Sequence, residues 1–122
     1  MNKEKLIRDL CARLPYGVKV LYDNKVFNID YVSSIHEEIK LDTRDNYTIN
    51  VSDVKPYLFP LSSMTEEQKM FLKQQNWCIA ISTSGTIETT VEGIDWLNKN
   101  HFDVNNLIPI GLAIDATGLN IY

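Results

Sequence analysis

The chain predicts an α+β fold: an N-terminal helix, a small β-barrel, then a helix, a β-hairpin and a short helical C-terminal region. Three observations carry this. Apolar residues recur at helical spacing from Lys3 to Leu14, and the pattern changes to short β-rich runs between turn residues from Tyr16 to about Leu61. Beyond Ser62 the pattern is mixed. With 122 residues, 44% hydrophobic and 23% charged, the composition is that of one compact domain spanning 1–122, with 1–61 and 62–122 as its natural subdivision. Scaling of folded and unfolded areas gives about 14,000 Å² buried on folding, enough for a core without disulfides or metal.

The first helix places Leu6, Ile7, Leu10, Cys11 and Leu14 on its apolar face and Lys3, Glu4, Lys5, Arg8, Asp9 and Arg13 on the other. Asn2 caps it, and Pro15 and Gly17 stop it. Strands follow at Val18 to Tyr22, Val26 to Ile35, Ile39 to Asp42 and Tyr47 to Val51, broken at Asp23-Asn24, His36-Glu37 and Arg44-Asp45-Asn46. Alternation sends Val18, Val20 and Tyr22, and likewise Tyr47, Ile49 and Val51, toward a core. Ser52 to Pro56 forms one tight turn before a last strand, Tyr57 to Leu61, with Pro60 at an edge or end. Five strands with a tight turn before the last resemble an SH3-like barrel.

In the third region Thr65 with Gln68, or Ser63 with Glu66, fits a reciprocal cap for a helix running to about Gln75 that buries Met70, Phe71 and Leu72. Trp77 to Thr83 and Thr86 to Val91 flank Ser84-Gly85 as a hairpin. A short helix covers Ile94 to Asn100, and Leu107, Ile108, Ile110, Leu112 and Ile114 mark a buried segment interrupted by Pro109.

Charge and composition exclude several function classes. Twelve basic against sixteen acidic residues, net −4, disfavour a binder that holds nucleic acid or anionic membrane by phosphate neutralisation. The longest apolar window, Leu107 to Ile114, is far short of a membrane span. No signal-type apolar stretch opens the chain, so a cytoplasmic location is expected. The glycosylation-type triplets at Asn46 and Asn50 then have no chemistry, and Cys11 and Cys78 read as buried thiols in a reducing compartment.

Catalytic patterns are equally sparse. The glycines at 17, 85, 93, 111 and 118 form no phosphate loop. His36-Glu37-Glu38-Ile39-Lys40 has Lys40 where a zinc helix needs its second histidine. A hydrolase would have to combine His101 with Asp103 or Cys78, a constellation whose spacing offers no support. The expectation is a non-enzymatic chain with no cofactor, metal site or catalytic residue. Recognition remains. Seven aromatics, Tyr16, Tyr22, Phe27, Tyr31, Tyr47, Tyr57 and Phe59, fall in the barrel stretch; most serve as core, with two or three exposed.

Val54-Lys55-Pro56-Tyr57-Leu58-Phe59-Pro60-Leu61-Ser62-Ser63-Met64-Thr65-Glu66-Glu67-Gln68 resembles stretches of small uncharacterised proteins encoded in gut-bacterial and bacteriophage genomes. So do Asp95-Trp96-Leu97-Asn98-Lys99-Asn100-His101-Phe102-Asp103 with Leu107 to Ala113, and the helix end Cys11 to Val18. The resemblance covers most of the chain except residues 76–91. It implies a cytoplasmic accessory protein of phage or prophage type and supplies no catalytic residue, cofactor or partner. The leading expectation is therefore a protein-binding module, with Tyr57, Phe59, Trp96, His101 and Phe102 as interface anchors. The alternatives are a nucleic-acid-binding small barrel, which needs Lys19, Lys25, Lys40, Arg44 and Lys55 on one face, and a self-assembling structural phage protein, signalled by a homo-oligomer.

Overall fold

The computed structural model describes residues 2–42, 48–81 and 87–122. Helix α1 (Asn2–Arg13) ends in a 3-10 turn at Leu14–Tyr16, where Gly17 adopts φ 79° and donates its amide back to Leu14. Strands β1 (Lys19–Tyr22), β2 (Lys25–Ser33), β3 (Glu38–Leu41) and β4 (Ile49–Asn50) then form an antiparallel meander. Asp23 and Asn24, both at positive φ, join β1 to β2 with Tyr22 opposite Lys25. Two left-handed residues match the twist of a tight hairpin, and Asp and Asn tolerate that region better than other side chains.

The tight turn expected at Ser52 to Pro56 falls earlier, as a 3-10 turn at Val51–Asp53 capped by the Asn50 side chain accepting from the Ser52 amide, and Lys55 and Pro56 already belong to the next strand. It delivers β5 (Lys55–Leu58) antiparallel to β1. A sixth strand unforeseen in the sequence, β8 (Ile114–Asp115), pairs parallel with β5. The sheet order is β4-β3-β2-β1-β5-β8, an open sheet and not the closed barrel expected, since no ladder joins β4 to the far edge among the described residues. Two residues of β4 offer too short an edge to close on.

Helix α2 (Glu66–Gln74) begins at a reciprocal capping box between Thr65 and Gln68. β6 (Cys78–Ile81) and β7 (Ile87–Thr89) form the separate hairpin; the Ser84-Gly85 turn and the expected burial of the Cys78 thiol lie outside the described residues. Helix α3 (Val91–Lys99) starts three residues earlier than its apolar pattern suggests, because Thr90 accepts from the Gly93 amide as N-cap. No helix among the described residues is long and apolar enough to cross a membrane.

Two apolar clusters fill the interior. One joins Leu6, Ile7 and Leu10 of α1 to the sheet through Val18, Val20, Ile39 and Leu58; the other gathers Leu61, Met64, Leu72, Leu97 and Phe102. The helix faces differ from expectation. On α1, Cys11 is exposed while Asp9 and Arg13 are buried, because the helix turns its acid–base pair, not the thiol, toward the C-terminal segment. On α2, Leu72 is buried while Met70 and Phe71 are exposed, so the helix docks through the residue one step further round. In the 107–114 run Leu107 is buried but Ile110 is exposed.

Candidate functional site

Helix α3 ends in a motif that sets the geometry of the site. The His101 amide donates to Asn98 O at 3.1 Å and the Phe102 amide to Leu97 O at 2.9 Å, with His101 at φ 65°. This is the Schellman arrangement, whose left-handed residue is usually glycine, and the apolar contact it favours is here Phe102 against Leu97 in the second cluster. The same motif ends α2, with Asn76 left-handed and the Trp77 amide donating to Leu72 O at 3.0 Å. The chain then runs beside the end of β5: the Phe59 amide donates to His101 O and the Asp103 amide to Phe59 O, each at 2.8 Å. Phe59 and His101 are thereby placed side by side.

Arg13 fixes this junction from below. Its Nε and Nη2 donate to the Asp9 carboxylate at 2.7 and 3.1 Å, and Nη2 also donates to Phe102 O at 2.6 Å. Asn105 Nδ2 donates to Asp9 Oδ1 at 2.8 Å. The pair is fully buried. An ion pair taken out of water is tolerated when further hydrogen bonds complete it, and these do. From the other side Tyr122 lays its ring on the imidazole, centroids 3.6 Å apart and planes 10° apart. The Tyr122 hydroxyl accepts from the Lys19 amide at 2.9 Å and donates to Tyr57 O at 2.7 Å, tying β1 to β5; burial pushes its pKa up to about 12.

These elements enclose an open cleft of about 490 Å³, lined among others by Phe59, Thr65, Gln68, Lys99, His101 and Tyr122. Lys99 is the charged residue of its described lining, which contains no Asp or Glu. Burial, then the positive charges of Arg13 and Lys19, lower the His101 pKa to about 4, so the ring is neutral near pH 7. The cleft brings aromatic rings together with neutral hydrogen-bonding side chains and one cation, Lys99.

Of the five expected anchors, Phe59, His101 and Phe102 meet at this cleft. Phe102 is nevertheless 3% exposed and Tyr57 7%, so both rings are packing residues that present almost no surface to a partner. Trp96 lies apart, half-buried and stacked between Phe71 and Phe102 at 5.7 and 6.0 Å. Of the barrel-stretch aromatics, Tyr16 and Tyr31 are exposed, while Tyr47 lies outside the described residues. The sequence reading missed Tyr122, Arg13 and Asn98. Only the four-residue spacing of Asp9 and Arg13 was visible, and it suits a solvated pair equally well.

For the catalytic alternatives, Asp103 directs its carboxylate away from His101: the two oxygens accept from the Leu107 and Ile108 amides at 2.8 and 2.9 Å. His36-Glu37-Glu38 is a turn entering β3, not a helix, and no three His, Cys, Asp or Glu side chains converge as a metal site among the described residues. For the basic face, Lys55 lies opposite Leu21 and so shares the side of Lys19, whereas Lys25 lies opposite Tyr22 on the other side; Arg44 lies outside the described residues. Comparison with protein-family models, curated proteins and solved structures finds no match.

Proposed function

We propose that the chain is a non-enzymatic interaction module of phage or prophage type that works in the cytoplasm and takes a segment of a protein partner into the cleft beside His101. The observation that carries this is the cleft itself, where the Phe59, His101 and Tyr122 rings meet the neutral capping residues Thr65 and Gln68. Aromatic walls supply contact area at low entropy cost and amides supply direction, the combination that suits peptide recognition. In this reading the fold is an opened relative of the SH3-like barrel, its sheet left unclosed. Its support is the connectivity: a four-strand meander, one 3-10 turn, and a fifth strand returning beside the first.

The test is affinity capture of the tagged protein from its host lysate, with and without nuclease, alongside Thr117→Trp. Thr117 lines the cleft and is exposed, so the indole fills the site without disturbing the core. A stoichiometric protein that survives nuclease and is lost with Thr117→Trp is the expected result. Bound material that disappears with nuclease transfers the role to nucleic acid. A partner indifferent to Thr117→Trp, or a homo-oligomer in sizing chromatography with no partner, overturns the cleft reading.

A further inference from the structure

We propose that the cleft recognises its partner segment through a tyrosine side chain: the slot between β1 and β5 that Tyr122 fills is a phenol-binding site, and Tyr122 is a resident occupant that the partner's tyrosine displaces. The slot stands on its own geometry; the identity of its displacing ligand rests on the cleft reading above.

Strands β1 and β5 pair through Leu21 opposite Lys55 and Val20 opposite Pro56, a register that brings Lys19 opposite Tyr57 next. At that position a side chain stands inside the ladder. The Tyr122 hydroxyl accepts from the Lys19 amide at 2.9 Å and donates to Tyr57 O at 2.7 Å. Its ring lies on the His101 imidazole, centroids 3.6 Å apart, and meets Phe59 at 6.0 Å. These partners select one kind of side chain. The slot offers one donor and one acceptor to a single atom at the end of a flat ring. A carboxylate has no proton to give Tyr57 O, an ammonium accepts nothing from Lys19, and an indole N–H only donates. Phenylalanine leaves both backbone groups unpaired, and Ser or Thr carries no ring to lay on the imidazole. A phenol meets every requirement with one rigid group.

Tyr122 is held there as a ligand is held. It is 39% exposed, whereas the packed rings of Tyr57 and Phe102 are almost wholly buried. Thr117 to Asn120 are exposed as well, and the backbone bonds of this segment are local: the Thr117 amide donates to Asp115 Oδ1 and the Leu119 amide to Ala116 O, at 2.9 and 3.1 Å. Among the described residues, the hydrogen bonds that tie 117–122 to β1 and β5 are those of the Tyr122 hydroxyl. Asn120 is left-handed, a turn position about which the last two residues can swing while Thr117 and Gly118 remain in the cleft wall. A segment with few buried contacts opens at low cost, and an incoming tyrosine restores the two hydrogen bonds and the stack.

The experiment titrates N-acetyltyrosinamide and N-acetylphenylalaninamide, matched probes with and without the hydroxyl, into the wild type, Tyr122→Phe and Tyr122→Ala. The Lys19 backbone amide is followed in a proton–nitrogen correlation spectrum. The tyrosine probe should move that resonance and bind about tenfold more tightly than the phenylalanine probe, the margin two hydrogen bonds supply. It should bind most tightly to Tyr122→Ala, whose slot is empty, and least tightly to the wild type, whose own tyrosine competes. Tyr122→Phe keeps the ring and loses the hydroxyl, so it should fall between them, and it decides the question if Tyr122→Ala does not fold. Equal binding of the two probes, a wild type that binds as tightly as the variants, or an unmoved Lys19 amide overturns the proposal. A wild-type dimer in sizing chromatography that dissolves in Tyr122→Phe gives the slot to a second copy of this chain and overturns its assignment to another protein. A failed lysate capture with the probe margin intact rejects the cleft reading and keeps the slot, and a successful capture with equal probes does the reverse.

Discussion

Arg13→Met keeps the aliphatic stem of the side chain and removes its charge. The variant deletes two hydrogen bonds to Asp9, at 2.7 and 3.1 Å, and one to Phe102 O at 2.6 Å. Asp9, 1% exposed, is left as a buried carboxylate with Asn105 as its side-chain partner among the described residues. Breaking one partner of such a pair costs about 3–5 kcal/mol, because the residual charge has no water to return to. For 122 residues the unfolding entropy is about 0.26 kcal/mol per kelvin near the midpoint, so a loss of about 4 kcal/mol lowers Tm by about 15 °C. The double variant Asp9→Leu/Arg13→Met removes both charges and leaves one carbonyl and one amide less well paired, a residual cost of about 1–3 kcal/mol. Urea unfolding followed by circular dichroism at pH 7 measures all three proteins. A single-variant loss below about 1 kcal/mol, or a double variant no more stable than the single, refutes the reasoning that this buried pair closes the junction between α1 and the C-terminal segment.

Gly93→Ala should destabilise by about 1–3 kcal/mol, opposite in sign to helix propensity, since an added Cβ would stand 2.8 Å from Trp77 O and overlap Thr89 Oγ1; a raised Tm would contradict that packing. Leu72→Ala should cost about 2–5 kcal/mol while Met70→Ala stays within about 0.5 kcal/mol, and equal losses in urea titration would refute the docking face assigned to α2. For His101 the folded pKa of about 4 lies below the ordinary 6.5, lowered first by burial and then by Arg13 and Lys19. The unfolded chain then binds the extra proton, so this contribution is complete above pH 6.5 and is lost as pH falls toward 4. Discounted for the ring's partial exposure, it amounts to about 1–2 kcal/mol. His101→Gly should abolish that pH-dependent part while relieving the left-handed backbone; a wild-type-minus-variant difference that stays flat from pH 7 to pH 4.5 would contradict it.

The sequence by itself determined the features governed by near neighbours. The position of α1, the strands β1 to β5, the Asp23-Asn24 turn, the Thr65–Gln68 cap and the two strands of the hairpin are all legible, because a helical or strand period and a turn or cap residue act within a few positions. Tertiary structure decided which faces are buried and what meets what. Asp9 and Arg13 can leave water only because Phe102 O and Asn105 Nδ2 complete their hydrogen bonds from 89 and 96 residues away in the chain, and without those partners the solvated face is the correct local reading. The parallel pairing of β8, the burial of Tyr57 and Phe102, and the stack of Tyr122 on His101 have the same origin. Each depends on a contact between segments whose separation no periodicity encodes, and the desolvation of a polar group is decided by the partner that arrives, not by the residue that waits for it.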